Sequence, residues 1–175
     1  MAKVTKLDAA GRQLDAAIRM FFENEDVLAI HTLSRAAFRV LFDITNEGDA
    51  KVALDAYIKK LGADKFNKIT NFLKHADRDP DGEVDEDFQI STEAGLGMAS
   101  ALYFHHTKRF TPEMKGFGVW SRLMRPQYFD LPEQLTQDIA EWKAASKTDP
   151  DKIETQVNGR AYGKTIVHWC RLRMK

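Results

Sequence analysis

The sequence predicts an all-α protein, a single-domain helical bundle of about six to eight helices spanning residues 1–175. Three observations lead there. Apolar residues recur three or four positions apart through most of the chain. Capping residues, glycines and prolines stand at the ends of those stretches. The one stretch with strand character lies near the C-terminus. At 175 residues, with 43% hydrophobic and 30% charged residues, the chain is long enough to bury a core.

The first helix is expected from about Thr5 to Glu23. Leu7, Ala10, Leu14, Ala17, Ile18 and Phe21 form one apolar stripe, and Asp8, Arg12, Asp15, Arg19 and Glu23 form an opposite ladder of charges that reads as a solvated face. Asp26 can cap a second helix, from about Val27 to Thr45, that Asn46-Glu47-Gly48 ends. Its apolar residues cover most of the circumference and leave Thr32, Arg35, Arg39 and Asp43 as a narrow polar strip, which argues for a central position. A short third helix from about Ala50 to Leu61 is stopped by Gly62. Asp64 is expected to cap a fourth helix ending near Ala76, with Phe66, Ile69, Phe72, Leu73 and Ala76 on its apolar face.

The acidic segment from Asp77 to Gln89 contains Pro80 and Gly82 and reads as a loop. Ser91 is expected to start a fifth helix reaching about Lys108, in which Gly95 and Gly97 lower helix propensity but permit close packing. Thr111-Pro112-Glu113 is a cap followed by proline at the first helical position, and it opens a sixth helix that Pro126 ends. Pro132 and Pro150 open segments from about Leu131 to Ser146 and from Asp149 onward. Asn158-Gly159 is a hairpin signal between KIETQV and RAYGKTIVHW, so a small C-terminal hairpin stands as the alternative to helix there.

Composition narrows the function classes. A formal net charge of zero removes the simplest argument for a nucleic-acid binder. A single cysteine, Cys170, excludes an internal disulfide and a cysteine metal site, and reads as a small apolar filler rather than a reactive thiol. The N-terminal stretch lacks the uninterrupted apolar run of a secretory signal, and no segment has the roughly 18 apolar residues of a membrane span. A cytoplasmic protein without a cofactor is the expectation. No phosphate-binding glycine loop, dinucleotide fingerprint, nucleophile elbow or H-E-x-x-H motif occurs. Residues 77–93 carry eight acids and one base, and residues 152–175 carry six bases and one acid; two separately solvated surfaces are the default reading.

The suggestive stretch runs from Asn71 to Asp87. At about 100° per residue, Asp64, Lys68, Asn71 and His75 fall on the side of the fourth helix away from its apolar face. Asn71 and His75 are one turn apart, neighbours away from the core, which leaves His75 free to bind a ligand or face a second subunit. The loop that follows offers Asp77, Asp79, Asp81, Gly82 and Val84 in the spacing of a calcium loop, which makes Asp77, Asp79 and Asp81 weak metal candidates; the twelfth position, where a bidentate Glu belongs, is Phe88. His31 lies on an apolar face and reads as a core histidine. His105 and His106 point about 100° apart, which is poor for joint chelation.

The words TKLDAAGRQLDAAIRMFF, AIHTLSRAAF, NFLKHADRDPD and VWSRLMRPQYFDLPEQL together resemble an uncharacterised family of small bacterial proteins, over most of the chain up to about Leu135. NFLKHADRDPD is the most specific of them. A more distant likeness is to the HEPN superfamily of helical bundles, whose ribonuclease members carry an Arg, then a polar residue, then a His about one turn later in a dimer cleft. Asn71 and His75 match the last two positions, whereas the Arg position is Thr70. The resulting expectation is a non-enzymatic binding or interaction protein of the bacterial cytoplasm that uses Lys68, Asn71, His75, Asp77, Arg78 and Asp79. Its partner would be a protein or a second copy of itself, as a homodimer, ahead of nucleic acid. The alternative is a HEPN-like RNA-binding protein or ribonuclease with Asn71 and His75 as catalytic candidates.

Overall fold

The computed structural model describes residues 3–46, 48–75, 77–84, 88–133, 137 and 160–174. Among the described residues all regular structure is helical and none is strand. The helices are α1 (Lys6–Glu23), α2 (Val27–Ile44), α3 (Asp49–Leu61), α4 (Ala63–Lys74), α5 (Phe88–Thr107), α6 (Pro112–Met124), a 3-10 turn (Pro126–Tyr128) and α7 (Arg160–Arg173). The all-α expectation holds. The expected segment 131–146 and the KIETQV arm fall almost entirely outside the described residues.

Local signals explain most helix ends. Thr5 and Asp8 cap each other: Thr5 Oγ1 accepts from the Asp8 N–H at 3.0 Å, and Asp8 Oδ2 accepts from the Thr5 N–H at 3.1 Å. Asp26 Oδ1 accepts from the N–H groups of Leu28 and Ala29 at 2.9 and 3.0 Å. Gly62 ends α3 at φ 84°, a left-handed conformation that favours glycine, and the same residue is the N-cap of α4. Asp64 therefore does not cap α4, which begins at Ala63. The fifth helix starts at Phe88, three residues ahead of the expected Ser91. Thr111 Oγ1 accepts from the Met114 N–H at 3.1 Å, with Pro112 as the first helical residue.

The chain divides into two compact units, residues 1–17 with 26–110, and residues 18–25 with 111–175. In the first unit α2 packs along α5 over a core of Ile30, Ala37, Phe38, Leu41, Leu96, Ala99 and Leu102, all buried. The expected close approach at Gly95 is there: a methyl group on it would meet Ser34 Oγ at 3.1 Å. Gly97 has no such role, since the space beside it is open. The apolar face expected of α4 is only partly used, because Ile69 is buried while Phe72 is 39% exposed.

In the second unit α6 and α7 surround an aromatic cluster. Trp120 is fully buried, with ring centroids 4.9 Å from Phe21, 5.9 Å from Phe22 and 5.7 Å from Phe117. The Arg160 guanidinium lies 4.2 Å from the Phe21 ring centroid and donates to Asn24 Oδ1 at 2.8 Å. Glu113, also buried, accepts from Arg19 at 3.1 Å and from Arg171 at 2.6 Å. Lys164 reaches Glu23. Arg19 and Glu23 thus serve tertiary contacts, which corrects the reading of that α1 face as merely solvated. Gly163 and Val167 stand one helical turn apart on α7 and face Phe22 and Gly116, so the RAYGKTIVHW arm is helix and not a hairpin strand.

Candidate functional site at the end of α4

α4 ends at Lys74, two residues before the expected end near Ala76. His75 is the C-cap, with φ −121° and ψ 47°, and its backbone N–H donates to Asn71 O at 2.9 Å. The chain turns back at once: the Arg78 N–H donates to His75 O at 2.9 Å and the Gly82 N–H to Asp79 O at 3.2 Å. These turns bring Arg78, Asp79, Glu83 and Val84 to face Lys68, Asn71, Phe72 and His75 across a cleft of about 350 Å³. Lys68 and Asn71 are exposed, and the His75 side chain is 38% exposed with Nδ1 at 4.0 Å from Asp77 Oδ1. Five of the six sequence-identified binding residues therefore line one cleft. Asp77 touches it through His75.

Asn71 and His75 also border a second cleft of about 370 Å³, between α2, α3 and α4. Its floor holds the residue that sequence reasoning missed. Arg35, one of the four residues in the narrow polar strip of α2, is only 6% exposed. Its Nε donates to Thr70 Oγ1 at 3.2 Å, and its Nη2 donates to Phe66 O at 3.1 Å and to Asn67 Oδ1 at 3.2 Å. The guanidinium lies 3.8 Å from the Phe66 ring centroid and 5.2 Å from that of Phe38. Burial lowers its pKa to about 10, so it is cationic at neutral pH.

Behind Arg35, His31 is 1% exposed, as the core-histidine reading expects. Its Nδ1 is 3.2 Å from Thr92 Oγ1 and its Nε2 is 3.4 Å from Thr70 Oγ1. A neutral ring protonated on Nδ1 satisfies both contacts: it donates to Thr92 and accepts from the Thr70 hydroxyl, which already accepts from Arg35. Burial first, then the Arg35 charge, pushes the His31 pKa down to about 4. Thr70 is thus held from both sides, and it in turn fixes Arg35.

The other candidates gain little. Asp77, Asp79 and Asp81 are exposed, and among the described residues no three metal-ligating side chains converge. Phe88 opens α5 where a calcium loop needs its bidentate Glu. His106 Nε2 lies 2.9 Å from Thr45 Oγ1 and 3.2 Å from Leu41 O, while His105 is exposed with its ring nearly perpendicular at 87°. Burial raises the Cys170 thiol pKa against the opposing Lys115 charge, which suits a filler and not a nucleophile. No described helix is long and apolar enough to cross a membrane. No family model, curated protein or solved structure matches the chain.

Proposed function

We propose that this chain is a non-enzymatic binding protein of the bacterial cytoplasm that docks a protein partner, or a second copy of itself, at the first cleft. One observation carries the reading. An exposed aromatic, Phe72, is ringed there by charges of both signs, Lys68 and Arg78 against Asp79 and Glu83. An apolar centre with a polar rim suits a protein surface. Two carboxylates beside the cations disfavour a polyanion such as nucleic acid, whose phosphates they repel.

A second reading, a HEPN-like RNA-binding protein or ribonuclease, is favoured by the contact between Arg35 and Thr70. A guanidinium from α2 reaches the residue that stands where that superfamily carries its Arg, with Asn71 and His75 on the same cleft. The two readings part in a simple assay. The purified full chain is expected to leave single-stranded RNA intact. RNA cleavage that vanishes in His75→Ala would replace the binding reading with the enzymatic one, and cleavage that persists in His75→Ala would sink the ribonuclease reading.

A further inference from the structure

We propose that the cleft over Arg35 is a binding site for a small organic anion, a carboxylate or a phosphate monoester on a flat apolar body. Arg35 is buried, yet every partner it has among the described residues is a neutral acceptor or a ring, and no carboxylate pairs with it. A charge taken out of water needs compensation. Three of its five N–H groups are committed, one on Nε and two on Nη2. Both Nη1 hydrogens remain for an oxyanion, and Arg35 is itself part of the cleft wall.

The surroundings define the rest of the ligand. Lys74 and Asn71 stand at the rim, supplying a second cation and an amide donor. Phe42 and Phe66 line the apolar wall together with the buried Phe38, whose ring centroid is 5.7 Å from each of theirs. Asp55 is the acid on the lining; Arg39, also on it, is exposed and shares its charge with Asp43 at 2.9 Å, so buried Arg35 is the anchor and Lys74 the second cation. A cleft of about 370 Å³ takes a molecule with one aromatic ring and its anionic group. A charge-assisted bond from a fixed guanidinium is stronger than a neutral one, so the anionic group anchors the ligand. The cations of this site, Arg35 and Lys74, differ from Lys68 and Arg78 of the partner-docking cleft, while Asn71 and His75 border both.

The test titrates the full chain with phenyl phosphate, benzoate and uncharged benzyl alcohol by calorimetry, with ligand-dependent melting as a check. At least one anion is expected to bind and raise the melting temperature, with benzyl alcohol inert; the tighter of the two tells phosphate from carboxylate. Lys74→Gln, at an exposed position, is expected to weaken binding by about threefold to tenfold, and Arg35→Met by about a hundredfold. If Arg35→Met does not fold, the Arg35 Nε–H resonance of the wild type serves instead, and it is expected to shift as phenyl phosphate is added. No binding of either anion at millimolar concentration overturns the proposal. So does benzyl alcohol binding as tightly as benzoate, or affinity unchanged in Lys74→Gln together with an unmoved Arg35 signal.

Discussion

Trp120→Ala is expected to destabilise the unit formed by residues 18–25 and 111–175 by about 3–5 kcal/mol, the usual cost of emptying a large aromatic site. Trp120 is fully buried and in ring contact with Phe21, Phe22 and Phe117, so its removal leaves a cavity bordered by three rigid rings. Those rings cannot collapse inward without breaking the Arg160 contact on Phe21 or the packing of Gly163 on Phe22. Urea unfolding followed by circular dichroism measures the loss. A change below about 1 kcal/mol would show that the aromatic cluster is not the core of that unit.

The second large effect is on pH. His31 carries a folded pKa of about 4 against an ordinary 6.5, so below pH 6.5 the unfolded chain takes up a proton that the folded chain refuses. Stability is therefore full above about pH 6.5 and falls as the pH drops toward 4, by up to about 3 kcal/mol from this group alone. Glu113 behaves differently. Burial works to raise its pKa, but the hydrogen bonds from Arg171, its own backbone and Arg19 outweigh that and hold it below the ordinary carboxylate range. Its contribution is lost only as the pH falls through that lowered value, after His31 has acted. Urea midpoints at pH 7 and pH 4.5 separate the two. His31→Gln is expected to flatten the wild-type difference, and an equal pH dependence in both proteins would refute the assignment.

What the sequence disclosed, and what it hid, follows from the range over which each force acts. Asp26, Gly62 and Thr111-Pro112 act on their own first turns, so helix ends there were legible. Ser91 misled because serine is a good cap in general, yet here it sits inside a helix that has already begun at Phe88. RAYGKTIVHW has strand-like composition, but Gly163 and Val167 find tertiary partners one helical turn apart, and packing overrides propensity. Arg35 was hidden for the same reason. A helical wheel sees one helix, whereas Phe66, Asn67 and Thr70 lie more than thirty residues downstream. The signal that could have found it was an arginine in the polar strip of a helix otherwise apolar nearly all round. The grouping of Lys68, Asn71 and His75 was legible as helical spacing, but the turn that carries Arg78 and Asp79 back to them was not.

On the proposed function, a partner docks at the surface around Phe72, Asn71 and His75. Quantitative affinity capture of the full chain from its native cells compares wild type with Phe72→Glu and with a surface control in the other unit, Val119→Glu. Both positions are about 40% exposed, so both variants are expected to stay folded with stability changed by about 0.5 kcal/mol or less. A protein, or untagged copies of the same chain, is expected to be recovered with wild type and Val119→Glu and lost with Phe72→Glu. Identical recovery with all three would contradict it.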